Sequence, residues 1–388
     1  MPFEPADRLQ ALPPYLFIEI DRKRREAIAA GKDVINLGVG DPDFPTPKFI
    51  RKRMAVALDD PRNHRYPFDE GVPEFREQAA KFMKQRFGVE VAWQRELITL
   101  IGTKEGLGHL PLAVVNPGDH VLVPQPAYPV YQAASIFAGG VPYHMPLTEA
   151  NGWLPDLSAI PSNVARSASL MFLNYPNNPT GACATIELFT EAVEFARAND
   201  LVIVHDAAYS ELYFDQRPNS ILEPPGAKDV CVELHSLSKT FNMTGWRIGW
   251  AVGNTDVIAA LAGIKSNMDS GQFNAIQQAG TEALAHADHV EVKGCLDVYR
   301  ERRNVLVDGL NKIGFGVTRP EATFYVWARC PEGYTSMELA GRALDEASVV
   351  LIPGIGFGEP GDRYVRAALT VEADRIAEAV KRLAAIDW

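Results

Sequence analysis

Between residues 95 and 255 the chain repeats one pattern: a short apolar run, a break rich in glycine, proline or polar residues, and then a longer stretch with helical spacing. The runs L-I-T-L-I (97–101), H-V-L-V-P (120–124), S-L-M-F-L-N (169–174), L-V-I-V-H-D (201–206) and V-C-V-E-L (230–234) are nearly continuous in apolar residues. Strands of that kind are buried on both faces, which is how parallel sheets sit between layers of helices. The predicted fold class is therefore α/β, with a mostly parallel sheet flanked by helices.

Outside that region the pattern changes. Residues 3–32 hold a proline-interrupted segment, L-P-P-Y-L-F, and then a charged helical run over 19–30 that Gly31 closes, which reads as an N-terminal arm. V-I-N-L-G-V-G-D-P-D-F-P-T-P (34–47) is a short strand breaking into a loop. Its glycines do not make a dinucleotide fingerprint, because the third glycine is missing and prolines prevent the helix that should follow. R-Y-P-F-D-E-G-V-P-E-F-R (65–76) leads into a helix through Phe87 with Gly88 as its stop. After Asn254 a long helical region, 256–312, is interrupted around 270–273; then F-G-V-T-R-P, T-F-Y-V-W-A, V-V-L-I-P-G and Y-V-R-A-A-L-T give a shorter α/β pattern. The organisation expected is a large domain, 46–284, and a smaller one made of 1–45 and 285–388.

Composition narrows the function. The 388 residues carry 38 basic and 49 acidic side chains, a net charge of −11, which disfavours a surface for nucleic acid or anionic membrane. An anionic ligand must then be held by local cations. Cys183, Cys231, Cys295 and Cys330 lie far apart with no C-x-x-C, so neither a zinc site nor a redox pair is indicated. With no secretory leader and no apolar run long enough to span a bilayer, a cytoplasmic protein with reduced thiols is expected.

Chemistry is concentrated where strands stop. After the 230–234 strand, Lys239 follows Ser236 and Ser238, and Arg247 comes eight positions later across a Thr-Gly turn. A partly desolvated lysine beside a fixed cation has a depressed pKa, and its neutral amine can attack a carbonyl. The hydroxyls and the guanidinium are suited to a phosphate. G-T-K-E-G (102–106) puts the amides of Gly102, Thr103 and Lys104 at a helix N-terminus, a second anion-binding arrangement, without the spacing of a Walker A loop. Thr103, Tyr128, Asn178, Asp206 and Lys239 all lie just past strand ends, where ligands bind in such sheets. Each has a plain alternative. Asp206 could cap a helix, Tyr209 and Asn178 could be buried hydrogen-bonders, Tyr128 could be core, and Arg366 in D-R-Y-V-R-A-A-L could be a surface ion-pair partner.

Taken together, the segments G-T-K, an aromatic, N-P-T-G, D-A-A-Y, S-L-S-K, R and a late arginine resemble, in that order and across nearly the whole chain, the fold-type I aminotransferases of class I/II. The resemblance implies pyridoxal 5′-phosphate as cofactor, with Lys239 as the lysine that bonds to its aldehyde and then shuttles the proton. It implies Asp206 at the pyridine nitrogen, Asn178 and Tyr209 at the phenolate oxygen, and Tyr128 stacked on the ring. Thr103, Lys104, Ser236, Ser238 and Arg247 are implied at the phosphate, and Arg366 at the substrate carboxylate. Enzymes of this family are usually homodimers with shared sites, so Tyr66 is expected to reach the partner's phosphate, with Asn274 as a further contributor.

L-G-V-G-D-P-D-F-P-T-P, N-Y-P-N-N-P-T, H-S-L-S-K-T-F-N-M-T-G-W-R and A-T-F-Y-V-W-A are, within that family, similar to the LL-diaminopimelate aminotransferases of lysine biosynthesis. These exchange an amino group with 2-oxoglutarate. That resemblance adds Tyr15 and Gly40, with Lys104, Tyr128 and Asn178, as substrate contacts, and Asp69 or Glu70 at the distal ammonium. The alternative is a broader aminotransferase acting on aspartate, alanine or aromatic amino acids.

Overall fold

A computed structural model of the chain describes residues 3–13, 16–67 and 70–388. The strands in chain order are β1 (Ile35–Asn36), β2 (Leu97–Leu100), β3 (His120–Gln125), β4 (Val141–Pro146), β5 (Ala168–Asn174), β6 (Val202–Asp206), β7 (Cys231–Ser236), β8 (Gly249–Gly253), β9 (Gly316–Val317), β10 (Tyr325–Arg329), β11 (Val349–Val350), β12 (Ile352–Pro353) and β13 (Tyr364–Ala368). Seven of them form the central sheet, in the order β2-β8-β7-β6-β5-β3-β4. β3 to β7 run parallel, and β8 is antiparallel to both its neighbours.

Apolar side chains cover both faces of this sheet, as the continuous runs require. On one face Leu100, Val123, Phe172, Val204, Val232 and Leu234 pack with Leu107, Leu110 and Leu261 from the helices Thr103–Val114 and Thr255–Met268. On the other, Met171, Leu173, Ile203 and Trp250 join Phe75, Phe82, Phe189 and Val193 from the helices Pro73–Phe87 and Ile186–Asn199. The Pro73–Phe87 helix ends where its sequence says it should. Gly88 takes φ +72°, and its N–H donates to Lys84 O.

β12-β13-β10-β9 form a separate antiparallel sheet, and β1 pairs in parallel with β11. Ile35 and Leu37 share a core with Leu306, Leu310, Phe324, Val326, Leu351 and Val365. Tyr209, Leu212 and Phe214 from the loop after β6 pack into it too. The helical region after Asn254 is three helices, Thr255–Met268, Asn274–Ala285 and Val290–Lys312; the break at 286–289, which residue pattern alone did not place, is where His289 caps the third by accepting from Glu291 N at 3.2 Å. Among the described residues, no helix is long and apolar enough to cross a membrane.

Candidate active site

Strand register brings the site together. Asn174 lies beside Asp206, Asp206 beside Leu234, and Ser236 beside Gly249, so β5 and β6 end level with one another and β7 runs two residues further. Their carboxyl ends and the start of the Thr103–Val114 helix open on a cavity of about 250 Å³. Gly40, Thr103, Lys104, Tyr128, Asn178, Asp206, Tyr209, Ser236, Ser238, Lys239, Arg247 and Arg366 all line it.

Lys239 sits in the short helix Leu237–Thr240, whose cap is Ser236 Oγ accepting from Ser238 N at 3.1 Å. Its Nζ donates to Gly40 O at 3.0 Å. Removal from water lowers the ammonium pKa to about 8; Asp41 opposes the shift, while Arg247 and Arg366 add to it. Both causes expected from the residues, the cation and the burial, contribute, and burial is the larger.

One end of the cavity is built for an anion. Gly102 takes φ +73° and packs directly under the Arg247 guanidinium, which a Cβ there would displace. Gly249 is crowded by the backbone carbonyl of His235. The opening turn of a helix of twelve residues, with no side chain capping it, therefore lies beside a guanidinium and the Ser238 hydroxyl. Arg247 has φ +53°, a strained value for a side chain of its size, and the Gln272 side-chain amide donates to its carbonyl. Its Nη1 donates to Thr244 O at 2.6 Å and to Ser238 Oγ at 3.4 Å.

Asp206 is 5% exposed. Oδ2 accepts from the Tyr131 hydroxyl at 2.9 Å, Oδ1 accepts from Ala208 N at 3.2 Å, and its carbonyl accepts from Asn174 Nδ2 at 2.8 Å. Burial pushes the carboxyl pKa up, and the Tyr131 and Ala208 donors pull it partly back. Across the cavity, Arg366 reaches in from β13 with Nη1 donating to Asn178 Oδ1 and Nη2 to Gly38 O, both at 2.9 Å. Its guanidinium lies over the Tyr325 ring, 4.1 Å from the centroid. The Tyr209 hydroxyl is 3.1 Å from that of Tyr325, and burial keeps Tyr209 well above its ordinary pKa, hence protonated.

Not every sequence-predicted residue is here. Tyr66 is 90% exposed and lines a separate surface hollow with Arg65, Ser270 and Phe273; Asn274 follows that hollow and lies outside the cavity. Glu70 pairs with Arg76 at 3.0 Å and does not line the cavity. Tyr15 and Asp69 lie outside the described residues.

Three contributors were missed by sequence reasoning: Tyr131, Asn174 and Tyr325, all lining the cavity. A fourth feature lies behind it. In β6 and β7 the two-residue alternation sends Asp206 and Ser236 to the cavity, and His205, Glu233 and His235 to the other face. There Glu233, fully buried, accepts from Ile221 N at 2.9 Å and the Ser220 hydroxyl at 2.8 Å and lies 2.9 Å from His205 Nδ1 and 2.6 Å from His235 Nε2. The signal was present as polar residues inside otherwise apolar strands.

With this geometry the family can be stated. The chain belongs to the aminotransferase class I and II family, which it matches over residues 32–383 and whose enzymes depend on pyridoxal phosphate. It is 54% identical to the LL-diaminopimelate aminotransferase of Aquifex aeolicus over 382 residues, 98% of each chain. The enzyme of the same name from Syntrophobacter fumaroxidans is also 54% identical, over 99% of each chain. Among solved structures, substrate-bound BacF of Bacillus subtilis superposes with a TM-score of 0.94 at 38% identity, covering 99% of this chain and 98% of its own.

Proposed function

We propose that this enzyme moves an amino group between LL-2,6-diaminopimelate and 2-oxoglutarate, the oxo product closing to tetrahydrodipicolinate, a step of lysine biosynthesis. The reaction class is carried by one observation: Lys239, Asp206 and Arg366 face a single cavity. The substrate rests on full-length identity to relatives of that name.

The residues present fit pyridoxal phosphate. The anion cradle of Gly102, Thr103, Ser238 and Arg247 suits the phosphate, and Tyr128 offers a ring face. A buried acid held toward its neutral form is restored to carboxylate by a cationic ring nitrogen opposite it, which matches the state of Asp206. When bound, the cofactor supplies an aldehyde that captures amines and a ring that accepts electrons from the substrate α-carbon.

The chain supplies the rest. Lys239 Nζ, largely neutral above its lowered pKa, can take the proton from the substrate α-carbon and return it. Arg366 pairs in fork fashion with the α-carboxylate, and that grip turns the α C–H toward Lys239. Asn178 and Tyr209 hold donors toward the cofactor's phenolate oxygen. We further propose a homodimer in which Tyr66 and Asn274, both outside this chain's own cavity, complete the partner's site. Residues 46–284 form the large domain in this scheme, and 1–45 with 285–388 the small one. Support comes from the core that joins Ile35 and Leu37 to residues beyond 299.

The test is single-turnover amino transfer from a panel of donors to the cofactor-loaded protein. LL-diaminopimelate is expected to outpace aspartate and phenylalanine by at least an order of magnitude. A faster reaction with aspartate or phenylalanine would overturn the substrate assignment.

A further inference from the structure

Tyr325 opens β10 at the meeting point of three site groups. Its ring lies under the Arg366 guanidinium, its hydroxyl is 3.1 Å from that of Tyr209, and its tip fills the space that a side chain at residue 40 would need. Gly40, in turn, carries the carbonyl that accepts from Lys239. The strand pairing explains the placement. Tyr325 stands opposite Ala368 and Trp327 opposite Arg366, so Tyr325 and Arg366 are diagonal neighbours on one face of the small sheet. Thr323, at φ +67°, turns the entering chain, and its Oγ1 accepts from Tyr325 N at 3.0 Å. At 3% exposure the ring has no freedom to leave.

Between two tyrosine hydroxyls there are two protons and one shared hydrogen bond. Whichever oxygen donates leaves the other hydroxyl's proton free for a further acceptor. A cation on the face of the Tyr325 ring draws electron density from its phenol and makes it the stronger donor. With Tyr325 as the donor of that bond, the Tyr209 proton is left for an acceptor in the cavity. We propose that Tyr325 is a positioning residue that aims the Tyr209 hydroxyl at the bound cofactor and ties that aim to Arg366. The inference rests on the cofactor reading above and adds a second arm to it: Asn178 is tied to Arg366 directly, and Tyr209 through Tyr325.

Tyr325→Phe removes the hydroxyl and leaves the ring beneath Arg366, so the fold and the carboxylate grip are retained. The readout is the pH midpoint of the visible band of the cofactor-loaded protein. A donor to the phenolate oxygen holds that midpoint down, so Tyr209→Phe is expected to raise it. Tyr325→Phe should raise it too, by a smaller amount of about 0.5 to 1 pH unit. The double variant should match Tyr209→Phe alone, because Tyr325 acts through Tyr209. KM for 2-oxoglutarate should stay within about twofold of the parent while kcat falls roughly three- to tenfold, a change confined to steps after binding. A midpoint unmoved in Tyr325→Phe, or additive shifts in the double variant, would overturn this inference and leave the cofactor reading intact. A parent protein with no pH-dependent visible band would overturn both.

Discussion

Arg366 Nη1 donates to Asn178 Oδ1 at 2.9 Å, linking β13 of the small sheet to the loop that follows β5 of the large one. One side chain thereby lines the cavity and holds a second lining residue, Asn178, in place. Replacing Arg366 by Ala removes a charged, two-pronged partner worth about 3 kcal/mol, so KM for both the amino donor and 2-oxoglutarate should rise on the order of a hundredfold. Cofactor affinity should change by no more than a few fold. Titrations of substrate and of cofactor check this, and equal loss of both would mean that Arg366 has been given the wrong partner.

The lowered pKa of Lys239 has a kinetic consequence. Only the neutral amine attacks an aldehyde, so the rate at which cofactor-free protein takes up pyridoxal phosphate should climb with pH up to about 8 and level off above it. An unperturbed lysine would keep climbing toward 10.5. Stopped-flow uptake between pH 6 and 10 separates the two profiles.

Lys265 is fully buried, and its Nζ contacts Glu105 at 3.0 Å and Asp269 at 3.1 Å; His109 Nδ1 lies 2.7 Å from the same glutamate. The two acids and the histidine lie close enough together to suggest a metal site, but the Lys265 ammonium already pairs with both carboxylates. Lys265→Met keeps the volume and strands the acids. Stability should fall by roughly 3 kcal/mol, visible in urea titration, and a loss under about 0.5 kcal/mol would show that the acids find other partners.

Sharing of sites between subunits can be tested by mixing. Tyr66→Ala and Lys239→Ala subunits should each be inactive or nearly so alone. In a mixed dimer one site carries both defects and the other carries neither, so activity should reappear on mixing, approaching one quarter of the parent value from random pairing. If each site used its own Tyr66, mixing would restore nothing.

Much of this was legible in the residues. The strand runs were continuous because both sheet faces are covered, and the chemistry-bearing residues followed them because the carboxyl ends of parallel strands gather at one edge of the sheet. Twelve predicted positions, from Gly40 to Arg366, line one cavity. What escaped depends on contacts between distant segments. Tyr325 reads as one aromatic in T-F-Y-V-W-A, and only the register of β10 against β13 sets it beneath Arg366. Tyr131 lies on the helix Val130–Phe137, and its hydroxyl reaches Asp206 75 residues on. The reverse also holds: Tyr66 and Asn274 carry motif positions but do not line this chain's own cavity.

We propose that Lys239 bonds to the cofactor in the cavity that Asp206 and Arg366 line. Borohydride reduction of the pyridoxal phosphate-loaded protein, followed by peptide mass mapping, tests it most directly. The cofactor mass should appear on the peptide containing Lys239, and in Lys239→Ala the protein should fold but carry no label. Label on another lysine, such as Lys104, with Lys239 unmodified, would contradict the account.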